Sequence, residues 1–104
     1  MSKFFHPRTD DLQLPSILAA LGDDIRLCIV RKLAEGEALA CQNCAPDGVA
    51  PSTLSYHFKI LRDAGLIKTE KRGVSHYNSL RAADVEQRFP GLLHAVLTEH
   101  NQNK

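Results

Sequence analysis

The chain has 104 residues, 43% of them hydrophobic and 24% charged, with a formal net charge of +1. That suffices for one folded domain around one modest core. No apolar run approaches the ~18 residues of a membrane span, and the opening MSKFFHPRTDDLQLP lacks the apolar core and cleavage site of a secretory signal. Three cysteines without an export signal point to a cytoplasmic protein with reduced thiols, not to a disulfide framework.

The small net charge hides an asymmetry. Between Ser52 and His76 the cations are Lys59, Arg62, Lys68, Lys71 and Arg72, and the anions are Asp63 and Glu70, a local charge of +3. The rest of the chain therefore sums to −2. A basic segment on a mildly acidic body suggests one face that meets phosphate.

Residues 1–12 are polar, with His6-Pro7 and Asp10-Asp11, and read as a flexible N-terminal arm. Leu14, Ile17, Leu18 and Leu21 make a helical stripe of about two turns, with Pro15 in the first turn and Gly22 ending it. Asp23 or Asp24 then caps a second helix, Ile25–Glu35, whose line Ile25, Ile29, Leu33 is apolar. The stretch EALACQNCAPDGVA is irregular and has room for one helical turn, about Ala40–Ala45, before the turn at Pro46-Asp47-Gly48.

The most informative stretch is PSTLSYHFKILRDAGL, residues 51–66. Leu54, Phe58, Leu61 and Ala64 lie on one helical stripe, while Ser52, Thr53, Ser55, Tyr56, His57, Lys59 and Arg62 occupy the other faces. Pro51 suits the first helical position, and Gly65 the position just past the end. A strand period follows. Leu66–Glu70 and Val74–Leu80 predict a hairpin whose tip lies near residues 71–74, with Gly73 supplying the positive φ and Lys71 and Arg72 beside it. Asp84–Phe89 reads as a short helix that Pro90 breaks or restarts. Leu92, Leu93, Val96 and Leu97 form a last apolar stripe before the polar tail 99–104.

The element order is α-α-α-α-β-β-α, mainly α with a β-hairpin wing. That is the winged helix-turn-helix arrangement, with one domain over 13–98. In such a domain the reading helix enters the major groove and the basic hairpin reaches toward the backbone.

At these residues the chain resembles the ArsR (ArsR/SmtB) family of small bacterial winged-helix repressors. The resemblance runs through Leu21-Gly22-Asp23, Ile25-Arg26-Leu27 and Val30, then Gly36-Glu37, and above all Ser52 to Ile67. It covers roughly residues 14–97. It implies a homodimeric, double-stranded-DNA-binding transcription regulator, released from an inverted-repeat operator by a signal. It also implies a dimer interface from the first and last helices, here Ile17, Leu18, Leu21, Leu92, Leu93, Val96 and Leu97. Carried over position by position, Ser52, Thr53, Ser55, Tyr56 and His57 fall on operator-reading positions, and Lys59, Arg62, Lys71 and Arg72 on phosphate-contacting ones. For Tyr56 and His57 the alternative is packing against the preceding turn.

Metal-sensing members of that family carry Cys-x-Cys in the short helix before the reading helix. Here that stretch is Leu39-Ala40-Cys41, so the first thiol is missing. Cys41 and Cys44 lie at i, i+3, on one helical face. They could hold a soft metal or metalloid with a third ligand such as His6 or, less readily, Cys28, or form a redox pair. They could equally have no sensing role. Asp84, Glu86, His94, Glu99 and His100 are residue types of the family's second metal site, but their spacings do not match, so no metal site is assigned there. No cofactor is required by the sequence.

Two other classes fit the residues less well. A winged helix that docks a protein without DNA would need an apolar reading face, which this helix lacks. An enzyme would need clustered acid, base and nucleophile. Ser55 and His57, two apart on a helix, point to different sides.

Overall fold

The computed structural model describes residues 4–102, and the side chains of 4–98. After a short 3-10 turn at Thr9–Asp11, helices α1 (Leu14–Leu21) and α2 (Asp24–Leu33) follow. Then come a two-residue strand β1 (Leu39–Ala40), a single helical turn α3 (Cys41–Cys44) and the long helix α4 (Pro51–Ala64). Strands β2 (Ile67–Arg72) and β3 (Ser75–Leu80) form the hairpin, and α5 (Ala82–Arg88) and α6 (Leu92–Gln102) close the chain. This is the expected winged helix-turn-helix order, with Pro90-Gly91 separating the last two helices.

Local chemistry sets the boundaries. The Asp23 carboxylate accepts the Arg26 amide at 3.1 Å and so caps α2. That bond holds its carboxyl below the usual range, and the nearby Arg26 charge adds to the effect. At the other end of α4, Gly65 sits at φ 88°. Its amide donates to the Arg62 carbonyl and that of Leu66 to Leu61, each at 3.0 Å, which is a Schellman closure. In the hairpin, Arg72 pairs with Ser75 across Gly73-Val74, and Gly73 takes φ 62°. Glycine first in a two-residue turn matches the twist of the strands.

The core lies between the helices and the inner face of the hairpin. Ile17, Ala20, Ile29, Val30, Leu33, Phe58, Leu61, Leu66, Ile67 and Val85 are buried together. The sheet has three strands in the order β1-β3-β2, all antiparallel. β1 is absent from the sequence reading. Two residues cannot show a period, and this strand is defined by its partners Tyr77 and Asn78. Asn78 is wholly buried. Its Oδ1 accepts from Thr69 Oγ1 at 2.7 Å, and its Nδ2 donates to the Leu39 carbonyl at 3.4 Å and to Cys41 Sγ at 3.2 Å. This side chain satisfies the polar groups where β1, β2 and the start of α3 meet.

Residues 4–12 differ from the loose arm expected. Leu12 is fully buried against Gly65. His6 Nε2 accepts the Thr69 amide at 3.0 Å, and the Pro7 carbonyl accepts from Arg81 at 2.7 Å. Thr9 donates to Asp84 at 2.7 Å, and its carbonyl accepts from Arg88 at 2.9 Å. Polarity suggested a solvated segment, but these polar groups meet partners from the hairpin and α5, more than 60 positions away in the chain. Residues 1–3 lie outside the described residues. So do residues 103–104 and the side chains of 99–102, although the backbone of α6 is helical to Gln102.

Candidate functional site

Helix α4 buries Phe58, Leu61 and Ala64 and leaves Ser52, Thr53, Ser55, Tyr56 and Lys59 exposed. Tyr56 is 61% exposed. Lys59 is paired with Asp63 at 2.8 Å, one turn on. An exposed i, i+4 pair is worth little, so the ammonium can exchange that partner for a phosphate. Beyond the helix stands the wing. Lys71 and Arg72 are exposed, and no described carboxylate lies within salt-bridge distance of Lys71. Arg72 is shared between Glu70 at 3.3 Å and the face of Tyr77 at 4.6 Å. The outermost residue is Val74, 99% exposed.

Two expected members of this face lie elsewhere. His57 is 6% exposed. Its Nδ1 stands 2.9 Å from an Arg26 guanidinium nitrogen and 3.9 Å from the Asp23 carboxylate. Arg26 is itself anchored, donating from Nε to the Ala20 carbonyl at 2.6 Å and from Nη2 to Ala19 at 3.3 Å. His57 is thus buried against the start of α2, not against the preceding turn that its position suggested, and is turned away from the exposed face. Arg62 turns away from the exposed face. Its guanidinium lies over the Phe4 ring at 4.4 Å, with Thr69 Oγ1 at 3.5 Å, and burial lowers its pKa.

The cysteine region does not fit a metal. Among the described residues no group of three or more His, Cys, Asp or Glu is placed to hold one. Cys44 is buried, and its thiol is directed at the carbonyls of Ala40 at 3.5 Å and Cys41 at 3.7 Å. Burial, aided by the neighbouring Cys41, pushes the Cys44 thiol up to about 12. His6, one candidate third ligand, spends Nε2 on the Thr69 amide. Burial, then Arg81, Arg62 and Lys68, lower its pKa. Cys28 is half-buried on α2, and all three thiols are free. Of the second set, Asp84 is occupied by Thr9 and Arg81, and Glu86 by the Gly91 amide. Glu99 and His100 lie outside the described side chains.

The expected dimer stripe divides. Ile17, Leu21 and Leu93 are core residues of the protomer and face inward. Leu14 and Leu18 are exposed, Leu18 by 48%, and Leu92, Val96 and Leu97 are half-buried. A stripe read from spacing alone cannot separate a helix's inner line from its outer one. Residue spacing also gives no shaping role to Arg26, Phe4 or Asn78. The one signal for Thr69 is its place two after Ile67 on the inward phase of β2.

A helical core, an exposed polar helix and a basic hairpin define a winged helix-turn-helix domain. The sequence model of the bacterial regulatory protein arsR family matches residues 23–69. The chain is 37% identical over 91 residues to the HTH-type transcriptional regulator YceK of Bacillus subtilis, spanning 86% of this chain and 91% of that one. It is 38% identical over 71 residues to the arsenical resistance operon repressor of Staphylococcus aureus, spanning 68% of each. Among solved structures it is similar to a homodimeric winged helix-turn-helix DNA-binding domain from Mycobacterium bovis, described as that of a possible ArsR-family regulator. There the TM-score is 0.65 and the identity 27%, over 88% of this chain and 83% of that one. The chain belongs to the ArsR family of DNA-binding transcriptional regulators, which are not enzymes. No described helix is long and apolar enough to cross a membrane.

Proposed function

We propose that this protein is a homodimeric repressor that binds an inverted-repeat operator and is released from it by a signal. Each protomer sets α4 into a major groove, with Ser52, Thr53, Ser55 and Tyr56 toward base edges and Lys59 toward phosphate. Lys71 and Arg72 bind backbone phosphates beside the groove and displace counterions. Arg62 and His57 support the helix from behind and make no base contact. The observation that carries this reading is the polar, cation-edged surface of α4 with the unburied wing beyond it. A protein-docking winged helix would offer an apolar face there. Leu14 and Leu18 of α1, with Leu92, Val96 and Leu97 of α6, join the two protomers. The dimer holds its two reading helices about 34–36 Å apart, one turn of duplex.

The thiols take part in release only in a limited way. The donor set does not fit a resident metal, and oxidation joining Cys41 to Cys44 requires Cys44 to leave its buried position first.

Selection of bound duplexes from a random library tests the proposal. The expected product is an inverted repeat with half-sites one helical turn apart, bound by two protomers. Recovery of no common sequence, or of a single unrepeated half-site bound by one protomer, overturns it.

A further inference from the structure

A cleft of about 400 Å³ opens between the arm, α3, α4 and the hairpin. That volume lies within the ~300–1,000 Å³ range of small-molecule sites. Its walls are mainly apolar, from Phe4, Pro51, Leu54 and Phe58, with the Cys41 thiol at one side and the Arg62 guanidinium at another. Such a lining, apolar with a few fixed polar groups, suits a compact organic molecule more than an ion.

Arg62 decides the charge of the occupant. No described carboxylate lies within 4.0 Å of it, whereas Lys59, one turn before it, has Asp63 at 2.8 Å. Arg62 is held by a ring face and a hydroxyl, the Phe4 ring at 4.4 Å and Thr69 Oγ1 at 3.5 Å. Thr69 Oγ1 in turn donates to Asn78, so this support is fixed from behind. A half-buried guanidinium that feels the Asp63 charge but has no carboxylate in salt-bridge contact, facing an apolar cleft, is a ready partner for a carboxylate or sulfonate. Phe4 closes the cleft from the arm side, edge-on to His76 at 4.9 Å, and His6 fastens that arm to Thr69.

We propose that this cleft is a binding site for a small organic anion with an apolar or aromatic body, its anionic end on Arg62 and its body against Leu54, Phe58 and Phe4. The occupant touches the buried side of the helix that carries the DNA-facing residues, but the proposal concerns ligand binding by the free protein and stands whether or not DNA is bound.

Titration of the isotope-labelled full chain with phenylacetate, followed by amide chemical shifts, tests it. Saturable shifts are expected at Cys41, Leu54, Phe58 and Thr69. Phenylacetamide, of the same shape without the charge, should bind at least about tenfold more weakly, and acetate, lacking the ring, weaker still. Arg62→Gln should remove the difference between phenylacetate and phenylacetamide. Equal affinities of the two compounds for the wild-type protein would overturn the proposal. So would shifts confined to residues outside the cleft, or no saturable shift up to about 10 mM. The wild-type comparison decides the matter even if Arg62→Gln fails to fold.

Discussion

The Arg26 guanidinium lies 2.9 Å from Nδ1 of His57 and 2.6 Å from the Ala20 carbonyl, so one side chain joins α1, α2 and the reading helix. A guanidinium can only donate, so the contact is made through the Nδ1 lone pair. Removing Arg26 leaves a buried imidazole nitrogen and a helix-end carbonyl without their donor. Arg26→Ala should therefore cost about 2 kcal/mol, the usual scale for hydrogen bonds from a charged group. For a domain of this size that is a fall in Tm of about 8–16 °C. Calorimetry on the two proteins checks it. A shift under about 2 °C would show that water replaces the guanidinium.

The wing and the reading helix should separate in their effects on DNA. Lys71→Ala with Arg72→Ala should weaken binding to all duplexes alike and lower the salt slope by up to about 2, one for each phosphate no longer neutralised. Tyr56→Ala should mainly reduce discrimination between specific and random duplex. Anisotropy titrations across a salt series measure both. An unchanged slope in the double variant would remove the wing from the interface.

The thiols should differ sharply in reactivity. Cys44 is buried, with its pKa pushed up to about 12, so it carries almost no thiolate at neutral pH. Timed iodoacetamide labelling with peptide mass mapping should modify the half-buried Cys28 and Cys41 first, and Cys44 only after denaturant is added. Early labelling of Cys44 would contradict its burial.

Acid should loosen the arm. His6 accepts the Thr69 amide through Nε2, which it can do only when that nitrogen is unprotonated. Its pKa in the fold lies below 6.5, through burial and then the charges of Arg81, Arg62 and Lys68. The unfolded or undocked chain therefore binds more protons between the two pKa values. The stabilisation from His6 is complete above 6.5 and is lost as the pH falls from there through the folded value. The protection factor of the Thr69 amide, its exchange rate relative to the intrinsic rate at each pH, should fall over that interval in the wild type and be low at every pH in His6→Ala. A flat profile in the wild type would exclude the bond as a fastening.

Gly65 tolerates no side chain. At φ 88° an added Cβ is strained, and it would stand 2.1 Å from Leu12 Cδ2. Backbone strain and the displaced leucine together should make Gly65→Ala cost about 2–4 kcal/mol. Denaturant unfolding would show it as a lower midpoint. Gly73, with nothing within 4 Å, should be affected by its positive φ alone.

Much of this architecture can be read from residue spacing. The limits of α1 and α4, the Gly65 stop and the turn at Gly73 all follow from local chemistry. Each depends on residues within one or two turns of one another. What escapes is long-range. β1 exists only through Tyr77 and Asn78. The arm is ordered by Thr69, Arg81 and Asp84, which no local pattern connects to His6, Pro7 and Thr9. The DNA-facing set is legible to the extent that helical phase decides exposure. Phase alone cannot show that His57 meets Arg26, or that Arg62 turns toward Phe4.

The short β1 and the packed arm together cover the middle of each flank of the hairpin. One side of β3 is taken by Leu39-Ala40, and the outward amide in the middle of β2 is already given to His6. The next outward position toward the tip of β2 is Lys71, whose charged side chain is exposed. A second copy therefore meets an edge whose central amide is already bonded and whose next outward position carries a cation, and both disfavour edge-to-edge pairing through the wing.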